Sequence, residues 1–407
     1  MDPVRQKILE MVSDAEIVHL AKGLVAIPSF QDEETGVSSF VKEFLKRERL
    51  EVQMQEVEPG RFQAIGWLRG SEKGPLLAFN GHVDIDPPPM GYEGDPFKPF
   101  VEGNRLYGQG ISNMKGGVAA QLMAAVALKR SEVELRGSLV VENLVGELQG
   151  GVGTSYTLEQ GIRPDYAIVT ESSGLDIVRK SGTSIALLIS TLGERRQAEP
   201  LRYPIEPINA VEKMCKVIQT LKTMRFSCTP DPELPSLPLV NVGSILGGQG
   251  RDYIINRHTF SAEYCTIAVD VKGPIGMGAE TVKRDVEEAL DRLHDPELRY
   301  EVEIPPETYR RPWRIRKHVL DGYSIPMEMR LVRSIFANQK ALIGKVPGER
   351  LMLASDAAGL LNRVGAEAVT YGPRAGVEKE PIRTYCEIDS LVTCSRVLVL
   401  TALDLLG

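Results

Sequence analysis

The 407-residue sequence is sparing with several residue types, and each shortage excludes something. It holds only five histidines, at 19, 82, 258, 294 and 318, so a site built on many imidazoles has no supply. Its five cysteines are odd in number and none sit at CxxC spacing, which excludes a disulfide scaffold and a thiolate zinc site and fits a reducing compartment. Lys and Arg total 48 against 55 Asp and Glu, a formal charge of −7, so the clustered positive field of a nucleic-acid surface is not expected. No apolar run approaches the ~20 residues needed to span a bilayer, and no membrane partner is expected. The opening segment carries Asp2, Glu10, Asp14 and Glu16, unlike the basic start and uncharged core of a secretory signal. A cytoplasmic location is the expectation.

What is present is an ordinary globular mixture, 43% apolar and 25% charged. At roughly 150 residues per domain, the length predicts two or three domains. The first 25 or so residues read as one helical stretch, with Ile8, Val12, Ile17 and Leu20 at helical spacing. A second helix is predicted around Gly36–Arg49. Apolar strand-like runs follow at 75–79, 138–141 and 166–169, and a Gly-Gly-opened helix at 116–130 lies between the first two. Strands separated by helices predict a covered α/β sheet.

Near residue 184 the pattern changes. It runs strand, long helix, two strands, helix and a last strand at 299–304, the order of a small two-layer α/β module. The predicted organisation is a discontinuous α/β domain, 1–183 with 305–407, interrupted by an inserted module at 184–304.

The best local chemical signal is Asn80-Gly-His82-Val-Asp84 at the end of an apolar run. Residues i and i+2 of a strand face the same way, so His82 and Asp84 project together from a carboxyl end, where open α/β sheets place ligands. A His oriented by a carboxylate serves as a metal ligand or general base. A buried His with a hydrogen-bonded neighbour reads equally well from the dipeptide alone.

Further segments narrow the choice: Gly108-Gln-Gly-Ile-Ser-Asn113-Met-Lys-Gly-Gly117, Gly146-Glu147-Leu148-Gln-Gly-Gly151, and Asp165-Tyr-Ala-Ile-Val-Thr-Glu171. Together with Leu353-Ala-Ser-Asp356 and Tyr385-Cys-Glu-Ile-Asp389, the sequence resembles the M20 family of zinc aminoacylases, deacylases and carboxypeptidases. The resemblance implies a zinc-exopeptidase-like mixed sheet with helices on both faces, plus an inserted ferredoxin-like lid and dimerisation domain. It implies a general base at Glu147, a positioning Asp84 in the catalytic set, and metal ligands at His82 and Glu171. The position of the family's bridging Asp is Asn113, which is neutral. The second carboxylate of its base-and-ligand pair is Leu148, and its Arg beside the bridging motif is Gln109. The family's C-terminal His ligand is absent, and the nearest replacement by position is Glu380. In the lid, Gln197 stands where the family has a substrate-contacting His. Arg195 and Arg196 read either as holders of an anionic substrate group or as a solvated face, and His258 is a lid residue without a matching motif.

Two Zn²⁺ ions bring four positive charges, and zinc takes anionic or imidazole ligands at about 2.0–2.3 Å. A hydrocarbon at 148 and an amide at 113 predict that the two-metal site is lost, leaving one Zn²⁺ or other divalent ion at most. Three readings are compatible with this pattern. The first is a hydrolase of N-acyl amino acids or short peptides, homodimeric through its lid. The second is an inactive binding or partner subunit. The third is a metal-independent enzyme of acyl transfer, cyclisation or isomerisation using Glu147. The basic cluster around Trp313, from Arg310 to Lys317, has the pattern of a single-stranded nucleic-acid patch, which an acidic chain of this fold disfavours, and no nucleic-acid partner is expected.

Overall fold

Ser13 decides how the chain begins. Its hydroxyl accepts from Glu16 N at 3.4 Å and caps a helix, Asp14–Val25, separate from a preceding helix, Pro3–Glu10. The single helical stretch expected from the periodicity is therefore two. Met11 and Val12 carry the apolar pattern across the break and conceal it. The computed structural model describes residues 2–71, 73–197, 199, 205–255, 258–305, 319–352 and 356–407. The 310–317 cluster and residues 353–355 of the Leu353 motif lie outside them.

The chain forms two compact units, Met1–Ser181 with Tyr323–Gly407, and Gly182–Gly322. In the first, a nine-stranded sheet runs in the order Glu51–Glu58, Arg61–Leu68, Ser138–Leu144, Leu76–His82, Tyr166–Val169, Glu367–Tyr371, Ile177–Ser181 and Tyr323–Ser324, with Glu349–Met352 also on Ile177–Ser181. The four strands from Ser138–Leu144 to Glu367–Tyr371 are mutually parallel. In that register His82 lies opposite Leu144, so neighbouring strands release their loops at one end of the sheet.

Helices explain why those strands read as unbroken apolar runs. In Gly116–Arg130 every residue from Gly116 to Leu128 is buried, and Ile388–Leu406 is buried along most of its length. Gly117 permits the close packing: a Cβ there would stand 1.8 Å from Thr170 O, so only glycine lets this helix reach the strand end. A separate four-stranded sheet, Ala375–Lys379, Ile382–Glu387, Arg105–Tyr107 and Phe100–Glu102, was not expected from the sequence.

The second unit is a two-layer module. Its sheet orders Leu239–Gly248, Tyr264–Gly273, Thr183–Leu192 and Arg299–Glu303, all antiparallel, with helices Ala210–Thr223 and Ala279–Asp291. It has its own core, including Ile185, Leu187, Ile189, Met214, Val217, Val269 and Val286. The unit closes at Gly322 rather than 304, because Val319–Leu320 also pairs with Thr183–Leu192. Among the described residues no helix is long and apolar enough to cross a membrane.

Candidate active site

The loop ends of three parallel strands meet around one imidazole. His82, the last residue of its strand, is buried, and its ring is held from both sides. Nδ1 lies 2.9 Å from Asp84 O and 3.3 Å from Asp84 Oδ1. Nε2 lies 2.9 Å from Asn113 Oδ1 and 2.9 Å from Glu171 Oε1. His82 and Asp84 thus meet, with Asp84 two residues beyond the end of the strand rather than on it, and Asn113 and Glu171 join them.

Asp84 is fully buried and does more than orient the ring. Its Oδ1 accepts from Glu147 N at 3.1 Å and its Oδ2 from Leu148 N at 2.9 Å. One carboxylate therefore fixes both the His82 ring and the turn that carries the candidate base. That turn begins at Gly146 with φ of 68°, a left-handed conformation that favours glycine. Glu147 is itself buried, and its Oε1 accepts from Ala357 N at 2.9 Å.

These contacts set the electrostatics. Burial pushes the His82 pKa down, but the Asp84 and Glu171 carboxylates outweigh it and hold it well above the usual imidazole range. Burial pushes Asp84 up, and His82 with the Leu148 and Glu147 amides brings it below the usual carboxylate range. The ring between two carboxylates is a charged one in the absence of a cation.

Several supports escaped sequence reasoning. Ser172 Oγ donates to Ser112 O at 2.6 Å, tying the Asn113 loop to the residue after Glu171. Lys115 is buried, donates from Nζ to Leu24 O at 2.9 Å and Ile27 O at 2.7 Å, and burial lowers its pKa to about 7. Arg61 forms a buried pair with Glu34, and its Nη2 is among the atoms that a Cβ on Gly146 would meet. Only Gly146 and the paired glycines at 150 and 151 signalled this turn in the sequence.

Glu380 is exposed at the turn between Ala375–Lys379 and Ile382–Glu387. Gln109 donates to Asp86 O at 2.8 Å. In the second unit, Arg195 and His258 are exposed, Arg196 lies 3.5 Å from Glu194, and Gln197 bridges to Phe260.

The donor set can be tested against the metals that the resemblance implies. Among the described residues no group of three or more His, Cys, Asp or Glu side chains is placed to hold a metal ion. The donors that converge are one imidazole nitrogen, one carboxylate oxygen and one neutral amide oxygen. Beside Glu147, Leu148 adds only hydrocarbon. The set does not fit two ions. For a single ion it offers His82 and Glu171, with the Asn113 amide oxygen as a neutral third donor.

Residues 78–404 match the sequence pattern of peptidase family M20/M25/M40. The chain is 27% identical over 301 residues to N-formyl-4-amino-5-aminomethyl-2-methylpyrimidine deformylase of Bacillus subtilis, covering 70% of this chain and 69% of that one. Its fold is similar to that of the di-peptidase Dug1p from Saccharomyces cerevisiae, with a TM-score of 0.78 at 11% identity, covering 98% of each chain. It is also similar in fold to the YXEP protein of Bacillus subtilis, described as a dinuclear metal binding peptidase, with a TM-score of 0.64 at 14% identity, covering 96% of this chain and 98% of that one. A match across most of the chain, on a sheet whose loop ends gather His82, Asp84, Glu147 and Glu171, makes this protein a member of peptidase family M20/M25/M40.

Proposed function

We propose that the protein is an amidohydrolase that cleaves the C–N bond of an N-acyl amino acid or short peptide, using one divalent ion at most. The observation that carries this reading is the double use of Asp84, which orients His82 and anchors the Glu147 turn. A relative named as an N-formyl-aminomethylpyrimidine deformylase supports hydrolysis of an N-acyl C–N bond.

In this reading Glu147 takes the proton of the attacking water and returns it to the leaving nitrogen. Asp84 keeps the His82 ring in one orientation throughout. His82, Glu171 and Asn113 would hold a single ion, which when bound supplies Lewis-acid polarisation of the scissile carbonyl. Arg195, Arg196, Gln197 and His258 of the lid are offered as contacts to the substrate. The exposed apolar residues Leu239 and Ile245 on the lid's outer strand support a homodimer through that edge.

A second reading, an inactive binding subunit, is favoured by one observation, the hydrocarbon of Leu148 beside the base. Incubation with a panel of N-formyl, N-acetyl and N-succinyl amino acids and dipeptides separates the two. Hydrolysis of one class, lost on chelation and restored by a divalent ion, is expected. Saturable binding without release of amine would replace this reading with the second.

A further inference from the structure

Glu142 lies inside the central sheet, opposite Asn80 in the parallel register, and is fully buried. Strands covered on both faces are ordinarily aliphatic throughout, so a carboxyl here is out of place. Its Oε2 accepts from Asn80 Nδ2 at 2.7 Å. Asn80 Nδ2 also lies 3.4 Å from Thr154 Oγ1.

On the other face, Gln121 donates to Glu142 O at 2.8 Å and to Asn143 Oδ1 at 3.2 Å, and accepts from Thr170 Oγ1 at 2.9 Å. Thr170 N in turn donates to Asn80 O at 2.9 Å. This polar layer ties together three strands just before they deliver His82, Glu147 and Glu171.

The surroundings of the carboxyl are short of charge. Strand Arg61–Leu68 places Ile65 opposite Glu142 and carries only Arg61. Strand Leu76–His82 carries only His82, and helix Val152–Glu159 carries Tyr156 and Glu159. The other helices on the Glu142 strand carry Lys129 and Arg130 at 116–130, Lys42, Glu43, Lys46 and Arg47 at 35–47, and Asp389, Arg396 and Asp404 at 388–406. What acts on the carboxyl is burial first, which raises its pKa to about 7, against hydrogen bonds from Asn80 and Thr157. Ionising a fully buried carboxyl costs far more than keeping it as the neutral acid.

We propose that Glu142 is a positioning residue for the candidate active site: a carboxylic acid kept neutral inside the sheet, whose ionisation loosens the strand ends that carry His82, Glu147 and Glu171. The proposal rests on reading those strand ends as the site. Its test uses no turnover, so it succeeds or fails independently of the hydrolase reading.

The sign follows from linkage. The folded-state pKa lies above the unfolded value of about 4.3, so the folded protein holds the proton more tightly. The stabilisation is complete below the unfolded value and is lost as pH rises through about 7, levelling off above it. Glu142→Gln keeps an acceptor for Asn80 and removes the ionisation.

Denaturant unfolding of the full-length wild type and Glu142→Gln from pH 5 to 8.5 reads the first half of the proposal. The unfolding constant of the wild type is expected to rise against that of the variant by up to about tenfold per pH unit, flattening above neutrality. Hydrogen exchange, corrected for the intrinsic pH dependence, reads the second half. Segments 80–86, 144–150 and 168–173 are expected to lose protection at alkaline pH in the wild type and to keep it in the variant.

Equal pH dependence in both proteins overturns the proposal. So does a wild-type change spread evenly over the sheet, which assigns Glu142 to global stability alone. If Glu142→Gln does not fold, infrared spectroscopy of the wild type decides. A protonated-carboxyl band from a buried acid near pH 6 upholds the proposal, and its absence overturns it.

Discussion

Replacing Glu147 by Gln is expected to lower turnover by about 10²–10⁴-fold while leaving the fold and substrate binding in place. The structure explains the separation. The turn is fixed through the backbone amides of Glu147 and Leu148 on Asp84, which the substitution does not touch. Gln also retains an oxygen to accept from Ala357 N, the contact Glu147 makes at 2.9 Å. Only the capacity to take a proton is removed. Steady-state kinetics on whichever acyl substrate the wild type hydrolyses supply the check, with KM unchanged and kcat reduced. Unchanged kcat in a folded variant would remove Glu147 from the chemistry.

The second large effect is a gain. The double substitution Asn113→Asp with Leu148→Glu returns two carboxylates to the positions where the family resemblance implies metal ligands. Asn113 Oδ1 already lies 2.9 Å from His82 Nε2, so Asp at 113 needs no movement to add its charge. Glu at 148 replaces a half-buried hydrocarbon next to the base. Altering even a residue behind the ligands changes metal affinity by ~10–100-fold, and two ligating anions should do at least as much. The double variant is expected to retain one more divalent ion per chain than the wild type after the same purification. Without metal it should be less stable than the wild type, because added carboxylates crowd Glu147 and Glu171, and zinc should raise its Tm by more. A folded double variant with wild-type metal content would show that something other than these two residues limits the site.

Much of this was legible in the sequence because it depends on short-range periodicity. The pairing of His82 with Asp84 was readable from their spacing at the end of an apolar run, although the strand itself stops at His82, and the glycine pairs marked the turn at 146–151. The inserted module was readable from its order of elements, since each strand and helix kept its own period. What escaped was long-range or disguised. The break at Ser13 was hidden by apolar residues on both sides. The hairpin Glu51–Glu58 with Arg61–Leu68 has a first strand so rich in Glu and Gln that its alternation was not apparent. Glu142 sits within Val140-Val141-Glu142-Asn143-Leu144, where one acidic residue reads as a strand edge. Only the register against Asn80 shows it to be interior. Asp84's grip on the Glu147 turn joins residues 63 and 64 positions apart, a contact that no local pattern encodes.

On the proposed reading, this M20 fold carries a site for one divalent ion at most. Metal analysis of the wild-type protein, purified without chelators and dialysed against zinc, tests it most directly. One ion per chain or fewer is expected, with any bound ion lost in His82→Ala. Two tightly held ions per chain would contradict it, because Leu148, Asn113 and the exposed Glu380 would then not be what limits the metal centre.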